Sequence, residues 1–240
     1  MRKKIVDWVK KVMDDNLKAA DNEASRMRIK RKIVHTFAVI QAGEEIMDKE
    51  KTIKWNRQTG FLVCLLHDIG RFPQAQTKSF DDQISGIDHA CAGITMIKKS
   101  NLEIPNIDIV LEAIEWHSRK INKCQNPYAK LIRDADKTAN FRHYATMEEL
   151  DFADRQLSGN TIREQYLKNF LAGYEKIQQD YTTIAEWCLY YAAWMEDLNF
   201  EATKKIWRKE KMLNKVLKRL KKLKIDAKQY ELIEKKINSF

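Results

Sequence analysis

The 240-residue sequence has few chain breakers, with only 7 Gly and 3 Pro. That scarcity argues against a turn-rich all-β fold. No apolar stretch approaches the roughly 20 residues a membrane span requires. The first residues, MRKKIVDWVKKVMDD, carry charge throughout and contain no apolar h-region, so no secretory signal is expected there. The four cysteines, Cys64, Cys91, Cys124 and Cys188, show no CxxC spacing, and several lie among apolar residues. They read as free thiols of a reducing compartment, and a cytoplasmic protein is expected. No repeat, low-complexity segment or linker marks a domain boundary, so a single domain over 1–240 is expected.

What is present is 44% hydrophobic and rich in helix formers, which predicts an all-α fold. Charge is unevenly placed. Residues 201–240 hold 14 Lys+Arg against 5 Asp+Glu, whereas the first 200 residues hold 30 against 29. A basic tail can meet nucleic acid or acidic lipid. The helical spacing of Ile206, Leu213, Val216, Leu217 and Leu220 instead favours amphipathic helices with solvated outer faces. Periodicity predicts helices over 3–20, 26–50 and 56–68, then one from about Asp88, one opened by Pro105 and one opened by Pro127. Further helices are predicted near 146–156, 161–179, 181–199, 201–222 and 226–238. The aromatic groups Trp187/Tyr190/Tyr191/Trp194 and Phe200/Trp207 read as core. Between the third and fourth helices, RFPQAQTKSFDDQISGIDHA is long for a connection, and such loops are often functional.

The chain is organised around FLVCLLHDIGR, residues 61–71, where an apolar run leads into His67 and Asp68. Burying an imidazole beside a carboxylate is costly unless both are satisfied. The same helical reading turns His35, His89 and His117 inward on their own helices and places Asp136 at the buried edge of another. His143 alone falls on the surface. Four inward histidines with two inward carboxylates are what a divalent metal requires. His35, His67, Asp68 and Asp136 suit one ion; His89 and His117 suit a second, with Asp68 bridging. Two such ions can hold a hydroxide and clamp a phosphate. Ligation without thiolate points to Mn, Fe, Ni or Co, with Mg also compatible, rather than to structural zinc.

The order H…HD…H…H…D, from His35, His67-Asp68, His89, His117 and Asp136, resembles the HD-domain superfamily of metal-dependent phosphohydrolases. LLHDIGRF, TKSFDDQISGIDHACAG, EAIEWHSRK and LIRDADK resemble one bacterial subgroup of it. The resemblance is strongest over 30–142. It implies an all-α HD-domain helical bundle, with a metal-binding core about 26–142 and additional C-terminal helices about 145–240. It also implies hydrolysis of phosphoesters of small phosphorylated substrates, nucleotides included. No Gly-Tyr-Pro triplet is present, so a cyclic dinucleotide phosphodiesterase of the HD-GYP kind is not expected.

Among the cations near the ligands, Arg71 is the first choice to grip phosphate and Arg119 the second, with Lys137, Lys120 and Arg142 behind them. Asp88 and Asp82 are expected to cap the fourth helix or to orient His89, with capping preferred. Two alternatives remain open. One is a di-iron oxygenase with the same ligands, like the HD proteins that resemble inositol oxygenase. The other is a non-enzymatic protein that binds nucleic acid or a partner through its basic tail.

Overall fold

The computed structural model describes residues 2–77, 79–120, 123–144 and 157–240. Among them every regular element is helical. No helix of the described residues is long and apolar enough to cross a membrane. The chain falls into two compact units, Met1–Ala139 and Asn140–Phe240.

The first unit holds α1 (Arg2–Lys18), α2 (Glu23–Lys49), α3 (Arg57–Leu66), the single turns α4 (Arg71–Gln74) and α5 (Asp82–Ser85), α6 (His89–Lys99), α7 (Ile107–His117) and most of α8 (Pro127–Tyr144). The helix starts follow from local chemistry. Asn22, Asn56 and Asp88 each turn a side-chain oxygen onto a backbone N–H three residues ahead, capping α2, α3 and α6. Pro127 is the first residue of α8. Pro105, expected to open α7, lies outside it; Asn106, in the left-handed region at φ 54°, makes the turn and α7 starts at Ile107.

The core of this unit comes from one face of each long helix: Ile29, Val39 and Ile46 of α2, Leu62, Val63 and Leu66 of α3, Val110 and Ile114 of α7, and Leu131, Ile132 and Ala135 of α8. Helix α2 packs most extensively on α3, and α3 also packs on α7, which in turn carries α6. This places His35 of α2, the residues just past α3, the start of α6 and the end of α7 around one point.

In the second unit are α9 (Glu164–Ala172), α10 (Ile184–Ala193), a 3-10 turn (Trp194–Asp197), α11 (Glu201–Lys209), α12 (Met212–Leu223) and α13 (Ala227–Asn238). The helix expected near 146–156 falls outside the described residues. The one expected over 161–179 is only α9, because Gly173 at φ 122° ends it. The one expected over 201–222 is two helices, divided at Lys211 with φ 50°. Ile206, Leu213, Val216, Leu217 and Leu220 are all buried, as the amphipathic reading of the basic tail requires. Trp187, Phe200 and Trp207 are buried, while Tyr190, Tyr191 and Trp194 pack at the half-buried edge of the same aromatic group. Glu186 is fully buried, and it accepts hydrogen bonds from the Arg163 guanidinium and backbone and from Thr182.

Candidate metal centre

Helix α3 ends at Leu66, and the chain continues through a tight turn, His67–Gly70, before α4 begins. The turn buries both His67 and Asp68. Gly70 lets it press onto α6: a Cβ at Gly70 would lie 2.6 Å from Gly93 N and closer still to the His89 carbonyl oxygen. No other residue fits between Asp68 and the start of the helix that carries His89.

The two oxygens of Asp68 face different partners. Oδ2 lies 3.4 Å from His67 Nε2 and 3.8 Å from His35 Nε2. Oδ1 lies 3.7 Å from both His89 Nε2 and His117 Nε2. Asp136 joins the first group, its Oδ1 being 2.9 Å from His35 Nε2 and 4.0 Å from His67 Nε2. In the second group, His89 Nε2 and His117 Nε2 are 3.2 Å apart. His35, His67 and Asp68 thus form one set with metal-ligand proximity, and Asp68, His89 and His117 form another.

Several features fit these sets to cations. Two donor atoms held about 2.1 Å from one ion lie about 3.0 Å apart at a right angle and about 3.4 Å apart at the tetrahedral angle. The spacings of 2.9, 3.2 and 3.4 Å lie close to those values, and the others run from 3.7 to 4.0 Å. His67 Nε2 is buried and makes no hydrogen bond of good geometry among the described residues, and His35 Nε2 has only Asp136 Oδ1 close by, at 2.9 Å. Three imidazoles have their other nitrogen committed: His67 Nδ1 donates to Cys64 O (2.9 Å), His117 Nδ1 to Ile114 O (2.5 Å) and His89 Nδ1 to the Asp82 carboxylate (2.7 Å). An Nδ1–H fixed in this way leaves Nε2 as a bare lone pair in the neutral ring, the arrangement that orients metal-bound histidines.

Electrostatics agree. Burial, aided by the Lys32 charge, lowers His35 from its ordinary value despite Asp136 and Asp68. Burial, with His89 and His67 nearby, pushes His117 down to about 4 against the pull of Asp68. Both are therefore neutral donors. Burial also opposes a charge on His67, but Asp68, Asp136 and the Cys64 carbonyl outweigh it and raise His67. Asp68 and Asp136 stay ionised well below the usual carboxylate range: burial works against both, but Lys32, His67 and His117 override it at Asp68, and His35 and His67 override it at Asp136.

The expected cations occupy distinct places. Arg71 lies beside Asp68, with Nε 3.5 Å from Oδ1. Its NH1 donates to Gln74 Oε1 (2.6 Å), to Asp82 Oδ1 (2.9 Å) and to the Phe80 carbonyl, which pins the guanidinium. Arg119 is exposed, and among the described residues its side chain makes no ion pair with Asp68 or Asp136; its carbonyl accepts from Arg133. Lys137 is buried one residue past Asp136. Lys120 is half-buried after α7, and Arg142 pairs with Glu210 in the second unit. His143 is exposed.

Asp88 and Asp82 divide the roles expected of them. Asp88 caps α6. Asp82 does not; it is an acceptor shared by His89, Arg71 and Gln74. Burial would raise it, but the His89 hydrogen bond and the nearby charges hold it at about 2.

Sequence reasoning missed two residues. Lys32 donates to Asp68 Oδ2 at 2.6 Å, and its one signal is that it precedes His35 by a single helical turn. Arg133, 2% exposed, donates from NH1 to the carbonyls of Trp116, His117 and Arg119. It closes the end of α7 and so fixes His117. In LIRDADKTA it stands among other charged residues, so the sequence carries no sign that sets it apart.

Comparison with known proteins agrees with this geometry. The family model of the HD domain matches residues 33–140. Residues 33–140 thus match an HD domain, consistent with the superfamily of metal-dependent phosphohydrolases that the motifs resemble. Proteins with this domain are generally metal-dependent hydrolases that bind divalent metals through His and Asp. No curated protein and no solved structure matches the chain.

Proposed function

We propose that the first unit is a divalent-metal phosphohydrolase, acting on phosphoesters of small molecules such as nucleotides. His35, His67, Asp68 and Asp136 hold one ion; Asp68, His89 and His117 hold a second. The observation that carries this reading is the division of Asp68, one oxygen toward each group of imidazoles. Divalent ions so held lower the pKa of bound water and neutralise charge on a phosphate.

The residues themselves do the remaining work. Asp82 keeps the His89 ring in the tautomer that presents Nε2. The Cys64 and Ile114 carbonyls do the same for His67 and His117. Arg71 and Lys32 bring two positive charges to the edge of the site, and this favours an anionic substrate over molecular oxygen. The acceptors on Arg71 hold it in one orientation, so it presents a fixed donor to a phosphate oxygen.

The test is metal analysis of the purified full chain, followed by assay of Mn-, Co-, Ni- and Mg-loaded protein on p-nitrophenyl phosphate and a panel of nucleotides. Metal-dependent release of phosphate or of p-nitrophenol is expected. Two irons per chain with consumption of oxygen and no ester hydrolysis would overturn the reading.

A further inference from the structure

Lys32 stands outside the ligand set and one residue ahead of the HD match. Its ammonium nevertheless makes the shortest contact to Asp68, 2.6 Å to Oδ2. This is the oxygen that faces His35 and His67. At that distance the ammonium neutralises the carboxylate and repels a divalent ion brought onto the same oxygen. The Lys32 side chain is 18% exposed, so it is not sealed in place. Its stem rises from α2 one turn before His35, and its Nζ lies 5.4 Å from the centre of the Phe80 ring. The Arg71 guanidinium lies 6.0 Å from the same ring. Arg71 is pinned by three acceptors, whereas among the described residues Asp68 is the only carboxylate paired with Lys32. A lysine is a point charge on a flexible four-carbon stem, suited to moving between partners a few Å apart.

We propose that Lys32 is the resident cation of the centre: it neutralises Asp68 until a divalent ion takes Oδ2, and its ammonium then turns to the anionic oxygens of the substrate. The proposal rests on the metal-centre reading above and adds a coupling to it. Metal frees the lysine, and the freed lysine binds phosphate. By linkage, phosphate in turn favours the metal-loaded form.

The experiment is calorimetric titration of the full chain with Mn(II), then of the Mn-loaded protein with inorganic phosphate, for wild type, Lys32→Met and Lys32→Arg. Lys32→Met removes the charge and keeps most of the stem. It should bind Mn(II) about tenfold more tightly, and its Mn-loaded form should bind phosphate about tenfold more weakly, since a charge-assisted hydrogen bond is lost in each case. Lys32→Arg keeps a cation there and should bind phosphate more tightly than Lys32→Met does. Either an unchanged Mn(II) affinity or an unchanged phosphate affinity in Lys32→Met overturns the proposal. Wild-type protein that takes up no Mn(II) rejects the metal centre itself, and this proposal with it. Wild type that binds Mn(II) no differently from Lys32→Met rejects only the role of Lys32.

Discussion

Replacing Gly70 with alanine separates the two halves of the metal centre. Gly70 has φ −72°, an ordinary right-handed value, so alanine brings no backbone strain. The cost is contact alone. A Cβ there would meet Gly93 N at 2.6 Å and the His89 carbonyl oxygen at less, where real Cβ atoms essentially never come within 3.0 Å. Both neighbours are backbone at the start of α6, so neither can turn aside as a side chain would. The His67–Gly70 turn and α6 must move apart by several tenths of an ångström. Overpacking of this kind typically costs about 1–3 kcal/mol. His89 leads α6, so the shift carries its Nε2 away from Asp68 Oδ1, while His35 and Asp136 stand on α2 and α8 and are not pushed. Gly70→Ala should thus lose the second ion and keep the first. Calorimetric titration with Mn(II) reads the stoichiometry, and urea unfolding of metal-free protein reads the stability. Activity should fall about 100-fold if misplacement approaches 1 Å. Two ions bound at wild-type affinity, with stability unchanged, would refute the claim that this close approach sets the position of His89.

The other predictions follow from single residues. Asp68→Ala should abolish binding of both ions together, whereas His143→Ala should leave metal content unchanged; calorimetry on Asp68→Ala that shows one ion still bound tightly would contradict the bridge. Asp82 is held at about 2 in the fold against an ordinary 3.8, so it contributes stability above 3.8 that is lost as pH falls through about 2. Asp68 and Asp136 are depressed in the same direction and extend the loss to still lower pH. The melting temperature of metal-free protein, followed by circular dichroism, should therefore drop as pH falls below 4, and less steeply in Asp82→Asn; a flat profile in the wild type would refute this. Arg133→Ala strips three carbonyls of a buried donor and should cost about 3 kcal/mol in urea unfolding, against about 0.5 kcal/mol or less for the exposed Arg119→Ala.

The sequence announced the clustered histidines and aspartates better than it announced what holds them. Helical periodicity assigns a residue to a face of its own helix, and His67, His89 and His117 are buried as that assignment requires. Their convergence needed no more than the packing of α2, α3, α6 and α7. Lys32 was harder to see. It lies on the edge of the α2 stripe and is a charge, and an isolated lysine is by default a solvated residue. Only the placement of α3 against α2 brings Asp68 within its reach. Asp82 takes the less favoured of its two expected roles for a related reason. In DDQISGIDHA the turn chemistry near a helix start suggests capping, and Asp88 and Asp81 do cap. The bond from His89 to Asp82 spans seven residues and depends on how α5 folds back, which no local preference specifies. The breaks at Gly173 and Lys211 escaped periodicity because apolar spacing continues across both.

The arrangement about Asp68 follows from what one carboxylate can serve. Each oxygen faces two imidazoles and one cationic side chain: Oδ2 has His35, His67 and Lys32, and Oδ1 has His89, His117 and Arg71. The sides are not equivalent. On the Oδ2 side Asp136 supplies a second carboxylate, and the cation is a lysine at 2.6 Å. On the Oδ1 side no second carboxylate faces the imidazole Nε2 atoms among the described residues, and the cation is an arginine fixed at 3.5 Å by Asp82, Gln74 and the Phe80 carbonyl. A divalent ion is better neutralised by two carboxylates than by one, so the Oδ2 side is the stronger site and the one where a competing cation matters most. Asp82 compensates on the other side at one remove. It accepts from His89 Nδ1 and so makes that imidazole a stronger donor, and it anchors Arg71 in the same contact. One loop carboxylate thus ties the orientation of a ligand to that of the cation beside it, which accounts for a long connection between α3 and α6 that folds back over the centre.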